Sequence, residues 1–387
     1  MNSARLDKIW GATVLFVIAV CAWSCSSCSE DDNSKPDASP DTDTDSDVDT
    51  DTGELDWGDT TTCANAPGED EVCIPGGKYL MGCMPGDADC EDNEKPLVLV
   101  ELSPFFIDRN EAQLGEVIEF LNAVKDDDGI IQYEEGLTWF DGETENRIWS
   151  LLYSQHSDGS DSMSVVQQNS SGDYEFNPDV EDDGIENSCW QQGGIEAVAG
   201  GFSWLGAKMF CEWKGMQLPT EAQWEAAARG QTMNEIPCGT DPPECWYGYY
   251  DCHGVCSTLF DPEAGRCCYP FTPEKAGELC LSPFGVNGMY GNAYEWTADY
   301  CDEGHGWAEG TIDPQQTDPS SNDWGCHASK GGSVAGSSSR VRVSARGCGS
   351  SSNCDTGGSS GGVRCVRPDE PAVLPDAGVD GGQDGGK

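Results

Sequence analysis

Cysteine constrains this chain more than any other residue. There are 21 in 387 residues, a load that is rare in a reduced cytoplasm and ordinary where disulfides form. Eighteen of them fall between Thr62 and Pro368, together with most of the tryptophans and glycines. That segment is expected to be one loop-rich domain over residues 63–368, with short strands and few helices, stapled by disulfides worth about 2–4 kcal/mol each. The pairing is not legible from the spacing.

The start of the chain agrees with an oxidising destination. Lys8 precedes an apolar run, Ile9 to Trp23, that ends in Ala22-Trp23-Ser24-Cys25. The run is too short for a comfortable membrane span and reads as a secretory signal over residues 1–24. A cysteine directly after such a run resembles a bacterial lipobox, so Cys25 is expected to carry lipid. Cys28 is the alternative acceptor, and a plain secreted protein or an uncleaved anchor are the other outcomes. The expected location is the bacterial cell envelope, lipid-anchored at the outer membrane or cell surface.

The net charge is −50, and the acid is concentrated. Residues 25–62 contain DASPDTDTDSDVDTDTG, which has almost nothing to bury and should stay extended by self-repulsion. The alternating aspartates do not make an EF-hand loop, because the glycine at the sixth position and the terminal glutamate are missing. Residues 369–387 form a second polar tail. A charge of this sign excludes nucleic acid as a partner.

Three helices are readable inside the domain. Asn110 can cap a helix over residues 111–124, with Leu114, Val117, Ile118 and Leu121 on one face. Ser203 can cap Trp204 to Trp213, with Gly215 as the stop. In LPTEAQWEAAARG, Thr220 and Gln223 make a capping box and Gly230 ends the helix. Lys78 to Cys83 and Leu97 to Leu102 read as strands, and Phe105-Phe106-Ile107 is a further apolar stretch. Residues 230–365 read as glycine-rich loop with sparse strands. The acidic insertion from Asp126 to Glu186, with Trp139 and Trp149, reads as a surface excursion or the lining of a groove.

The order of segments then becomes informative: IPGGKYLMG (74–82), EKPLVLVELSPFFIDRNEA (94–112), EAVAGGFSWLGAKMFCEWKGMQLPTEAQWEAAARG (196–230), SPFGVNGMYGNAYEWTADY (282–300), KGGS (330–333) and GGVRCVRP (361–368). This succession closely resembles the formylglycine-generating enzyme, or sulfatase-modifying factor, family. The resemblance implies an α+β fold of the C-type-lectin-like kind. It also implies a calcium ion held by Gly291, Ala293 and Glu295, hard oxygen donors of the type that suits calcium. The family's usual side-chain ligand just upstream aligns with Gly288, beside Asn287.

Family members oxidise a cysteine of a newly made sulfatase to formylglycine, using oxygen and a copper ion held by two thiolates. Thiolates are soft ligands that select Cu(I). Aligned through Arg340, Arg342 and Ala345-Arg346, the two positions fall at Gly336 and near Ser338. Neither is cysteine, so copper is not expected. Cys348 and Cys354, beyond the arginines, either replace the lost pair or are disulfide-bonded. The histidines His156, His253, His305 and His327 lack the spacing of an iron site. Cys252-His253, Cys256 and Cys267-Cys268 resemble a zinc set, with disulfides as the alternative. The resulting expectation is a non-catalytic binding module for a peptide or glycan, held by a groove that includes Ser333, Arg340 and Arg342. The alternative is a formylglycine-generating or related oxidase with substituted active-site residues.

Overall fold

The computed structural model describes residues 55–133, 136–140, 145–150, 165–177, 194–239, 260–261, 266–267, 280–302, 304, 306–321, 325–333, 338–348 and 361–369. The chain divides between Glu54 and Leu55 into two units, and all described residues belong to the second. Cys25, the signal and most of the acidic tract lie outside the described residues. Among the described residues no helix is long and apolar enough to cross a membrane.

The first third supplies β1 (Glu71–Ile74), β2 (Gly77–Met81), β3 (Val98–Leu102), β4 (Phe105–Asp108) and helix α1 (Leu114–Val124). β2 and β3 form an antiparallel pair in which Gly77 faces Leu102 and Met81 faces Val98. Helix α1 begins three residues later than Asn110 would place it. Asn110 instead accepts a hydrogen bond from Asn287 Nδ2 at 2.7 Å. Residues 110–113 are held by non-helical bonds, Ala112 N to Val363 O and Ala199 N to Ala112 O. Gln113 therefore becomes the cap, its N–H donating to Glu116 Oε2. The apolar face is as read, with Leu114, Val117 and Leu121 buried.

The insertion corrects a sequence expectation. It carries β5 (Ile130–Tyr133), β6 (Gly136–Phe140), β7 (Glu145–Ser150), β8 (Val166–Gln168) and β9 (Tyr174–Phe176). Leu137, Ile148, Val165 and Val166 are fully buried in the same cluster as Leu114, Phe120, Phe202 and Phe210. It is part of the core, with its apolar residues too widely spaced in acidic sequence to advertise that role. The side chains of Trp139 and Trp149 lie outside the described residues. At Gly206 a Cβ would come within 1.8 Å of the Ile148 carbonyl oxygen, so only glycine allows β7 to approach the next helix.

That helix, α2 (Trp204–Trp213), and the next, α3 (Glu221–Arg229), match the sequence reading. Ser203 Oγ accepts from Gly206 N at 3.0 Å, and Gly215 takes the positive φ of +73° that stops the helix. At α3 the Gln223 N–H donates to Thr220 Oγ1, and the Thr220 N–H donates back to Gln223 Oε1.

The C-terminal third holds the short pair β10 (Phe260–Asp261) and β11 (Arg266–Cys267). It continues with β12 (Tyr294–Tyr300), β13 (His327–Lys330), β14 (Gly347–Cys348), β15 (Gly361–Gly362) and β16 (Val366–Pro368). Four of these make a sheet ordered β14-β13-β12-β15, and β16 joins β4 and β1 in the order β1-β4-β16. The last strand thus closes on β4, with Val366 opposite Ile107, and β1 lies on the other side of β4. Cys211 on α2 is disulfide-bonded to Cys365 across 154 residues, which ties that closure to the helical core. A second apolar cluster, including Ile74, Tyr79, Phe105, Ile107 and Trp224, lies under β1, β2 and α3.

Candidate functional site

The GNAYEW motif opens β12 with a turn built around a carboxylate. Gly291 and Asn292 both have positive φ, +80° and +62°, and Asn292 is a residue type that tolerates this conformation. Their backbone wraps Glu111. Asn292 Nδ2 donates to Glu111 Oε2 at 2.8 Å and Ala293 N to Oε1 at 3.1 Å. Two residues on, Glu295 is fully buried. Its oxygens accept from Trp224 Nε1 at 2.6 Å and from Arg364 Nε and Nη2 at 2.7–3.0 Å. Burial, and next the Glu295 charge, push the Glu111 carboxyl up to about 8.

This arrangement does not fit the calcium site implied for Gly291, Ala293 and Glu295. Both Glu295 oxygens are taken by nitrogen donors, and the cation beside them is a fully buried guanidinium. At Gly288, a Cβ would meet Glu111 Oε2 at 2.3 Å, so Glu111 fills the space a side-chain ligand there would need. A dication would have to displace Arg364, whose other acceptors are the carbonyls of Asp108 and Asn287.

The GGS block lies next to this turn through β13. Lys330 is buried and donates to Glu225 Oε1 at 2.8 Å and to the Ser344 carbonyl. Gly331 and Gly332 follow with φ of +84° and +66°. A Cβ on Gly332 would come within 2.5 Å of the Arg340 carbonyl oxygen, so the loop returns against its own start. Gly336 lies outside the described residues, as does the Ser338 side chain. The Ser338 backbone begins a single 3-10 turn that runs to Arg340. Ser333 is half-buried.

The three arginines of the block have separate fates. Arg340 is 47% exposed at its side chain, pairs with Glu91 at 3.2 Å, and also donates to the Arg346 carbonyl. Arg342 is buried. It chelates Glu94 with two nitrogens, at 2.7 and 2.9 Å, and donates to Asp87, Ser344 Oγ and the carbonyls of Asp89 and Ser339. Arg346 is enclosed by Glu221, Asp302 and the Asn93 carbonyl. The expectation that Arg342 lines a ligand groove is therefore corrected. Its donors are spent inside the protein, and Ser333 and Arg340 are what the block leaves at the rim.

Cys348 is disulfide-bonded to Cys301, so it is not a free thiolate that replaces the missing pair. Cys354 lies outside the described residues, as do Cys252, His253, Cys256 and Cys268. Of the four histidines only His327 is described. It is stacked between Trp204, 3.5 Å away, and Tyr300, 4.0 Å away.

Sequence reasoning missed the acids. Glu94, Glu111, Glu221, Glu225 and Asp299 are all buried. Asp299 accepts from the N–H groups of Glu221 and Gln316, and burial with the Glu221 charge pushes its carboxyl up to about 8. A signal existed in the late arginines, since a buried guanidinium needs a buried carboxylate.

A family model described as a sulfatase-modifying factor enzyme 1-like domain matches residues 58–368. The formylglycine-generating enzyme of Thermomonospora curvata is 28% identical over 314 residues, covering 76% of this chain and 92% of that protein. A Bos taurus protein named inactive C-alpha-formylglycine-generating enzyme 2 is 24% identical over 241 residues, covering 59% of this chain and 69% of its own. Among solved structures, PvdO from Pseudomonas aeruginosa aligns with a TM-score of 0.51 at 17% identity. That alignment spans 81% of this chain and 98% of that one, a likeness of fold.

Proposed function

The chain belongs to the family of sulfatase-modifying factor enzyme 1-like domains, and on that premise we propose that it is a non-catalytic binding module carried on an envelope lipoprotein. The observation that carries this reading is the substitution at the two copper positions, where Gly336 and Ser338 stand in place of cysteine. Glycine offers no side-chain ligand, and a serine hydroxyl is a poor partner for Cu(I). The nearby Cys348 is held by Cys301. A relative named as an inactive enzyme is consistent with the fold outliving the chemistry in this family.

Lipid on Cys25 would place the domain at the bacterial surface, and residues 25–62 would act as its acidic spacer. The ligand is a peptide or glycan, met by the rim that contains Ser333 and Arg340. The Arg340 guanidinium is solvent-accessible and supplies a planar donor fork for a carboxylate or sugar oxygen.

The test uses the full purified chain. Free thiols are counted, Cu(I) is titrated, and peptide and glycan arrays are probed with the wild type and Arg340→Ala. The expected result is no copper-dependent conversion of a cysteine peptide to an aldehyde, together with an array signal that Arg340→Ala removes. Oxygen-dependent turnover that is lost on stripping copper overturns the reading and favours the oxidase.

A further inference from the structure

One disulfide sits in unusual company. Cys211–Cys365 lies in the apolar cluster formed by α1 and α2, whereas Cys83–Cys90 is set among charged side chains. The Cys83 and Cys90 sulfurs and a Glu94 carboxylate oxygen all lie within 4.8 Å of one another. The same distance joins Cys83 Sγ to carboxylate oxygens of Asp87 and Glu235. We propose that Cys83 and Cys90, once reduced, form with Glu94 a site for a thiophilic divalent cation such as Zn2+, which the disulfide closes off in this structure.

The ligand types are right, since Zn2+ accepts both Cys thiolates and Asp or Glu oxygens. The Cα atoms of Cys83 and Cys90 are 5.9 Å apart, a separation from which both side chains can reach one ion. Charge points the same way. With the disulfide closed, Asp87, Glu94, Glu225 and Glu235 face Arg229, Arg342 and Lys330, leaving one surplus negative charge. Two thiolates would add two more, and a dication would cancel those two and return the cluster to one surplus negative charge. Glu94 can turn an oxygen toward the ion without stranding Arg342, because that guanidinium keeps Asp87, Ser344 and two carbonyls. In this respect the site differs from Glu295, whose arginine has no second carboxylate among its hydrogen-bond partners in the described residues.

Access exists as well. Cys90 is half-buried, and Pro85 and Gly86 beside it are exposed. A Cβ on Gly86 would meet nothing within 4 Å. The step balances as thiol–disulfide exchange. A dithiol reductant gives two electrons and two protons to the Cys83–Cys90 bond and is itself oxidised to a disulfide. The two new thiols then release two protons as the cation binds. The proposal is independent of the binding reading above.

The experiment treats the full chain with a dithiol, maps the opened cysteines by alkylation and mass spectrometry, and titrates Co2+ and Zn2+ without oxygen. The expected result is opening of Cys83–Cys90 while Cys211–Cys365 stays closed. One Co2+ should then bind with a thiolate charge-transfer band that Zn2+ bleaches. Cys83→Ser and Cys90→Ser should each abolish the band, and Glu94→Gln should weaken binding at least about tenfold. Cys90 is half-buried, so a melting curve of Cys90→Ser that matches that of the wild type with Cys83–Cys90 reduced shows that loss of the band is not loss of the fold. No band after Cys83–Cys90 opens, or a band that survives in Cys90→Ser, overturns the proposal. So does a chain that unfolds before this disulfide is reduced, since the pair is then only a staple.

Discussion

Two arginines separated only by Val341, Arg340 and Arg342, divide the GGS block into regions with opposite physics. On the inner side Arg342 pairs with Glu94, Arg346 with Glu221 and Lys330 with Glu225, a set of three buried ion pairs. On the outer side Arg340 keeps a single exposed carboxylate partner, Glu91. The inner set is costly to desolvate and stays together because each charge has a partner. The outer pair is screened by water and contributes little to stability. The groups that hold the fold and those that face solvent at this block are therefore different side chains.

The largest effect that would break this comparison lies in the interior. Arg364→Ala leaves Glu295 buried with the Trp224 indole as its remaining hydrogen-bond donor among the described residues, and Glu111 close by. Removing one partner of a buried pair costs about 3–5 kcal/mol, to be read as a fall in the urea midpoint at unchanged slope. Arg342→Ala should come next, softened by the solvent that reaches Asp87. A loss below about 1 kcal/mol in Arg364→Ala would mean that the interior behaves like the rim.

A second test uses pH. Glu111 and Asp299 are both pushed up to about 8, chiefly by burial and then by the charges of Glu295 and Glu221. In the unfolded chain they would titrate near 4.5 and 3.8. The folded state therefore holds protons that the unfolded state has released. Its stability from these groups is full below pH 4 and declines as pH rises, with the loss complete above about 8. Melting temperature should fall between pH 5 and 8, and Glu111→Gln should flatten that fall. A wild type whose stability rises through this range would contradict the assignment.

How much of this was legible follows from what each feature depends on. Ser203, Thr220 and Gln223 were readable because a helix cap is a local bargain between a side chain and the next three residues. The start of α1 was misplaced because Asn110 and Glu111 are claimed by Asn287, Asn292 and Ala293, far along the chain. The insertion was misjudged for a similar reason, since Leu137 and Ile148 become core only when α2 brings Gly206 against β7. At the candidate site, that residues 336 and 338 are Gly336 and Ser338, not cysteine, was plain in the sequence. The partners of Arg342, Arg346 and Arg364 were not, because pairing between distant charges has no periodicity to read.

The calcium question tests the same division at smaller amplitude. Glu295 is held by a guanidinium, so adding Ca2+ to chelator-treated protein should move the melting temperature by no more than about 2 °C, less than ~1 kcal/mol in a domain of this size. A larger rise that Glu295→Gln removes would show that calcium displaces Arg364 from the carboxylate.

The smallest stability effect belongs to the rim and is the most informative about function. Arg340→Ala removes an ion pair exposed at both ends, with side chains 47% and 45% accessible. Double-mutant measurements on such pairs return about 0–1 kcal/mol, so the urea midpoint should barely move. The part-buried bond to the Arg346 carbonyl is lost too. If the rim is where a peptide or glycan is met, the same substitution should abolish array binding while the fold is retained. Arg340→Lys should recover part of it, since it keeps the charge but not the planar fork. Binding that survives Arg340→Ala would move the ligand off this rim, and a large stability loss would move Arg340 into the interior set.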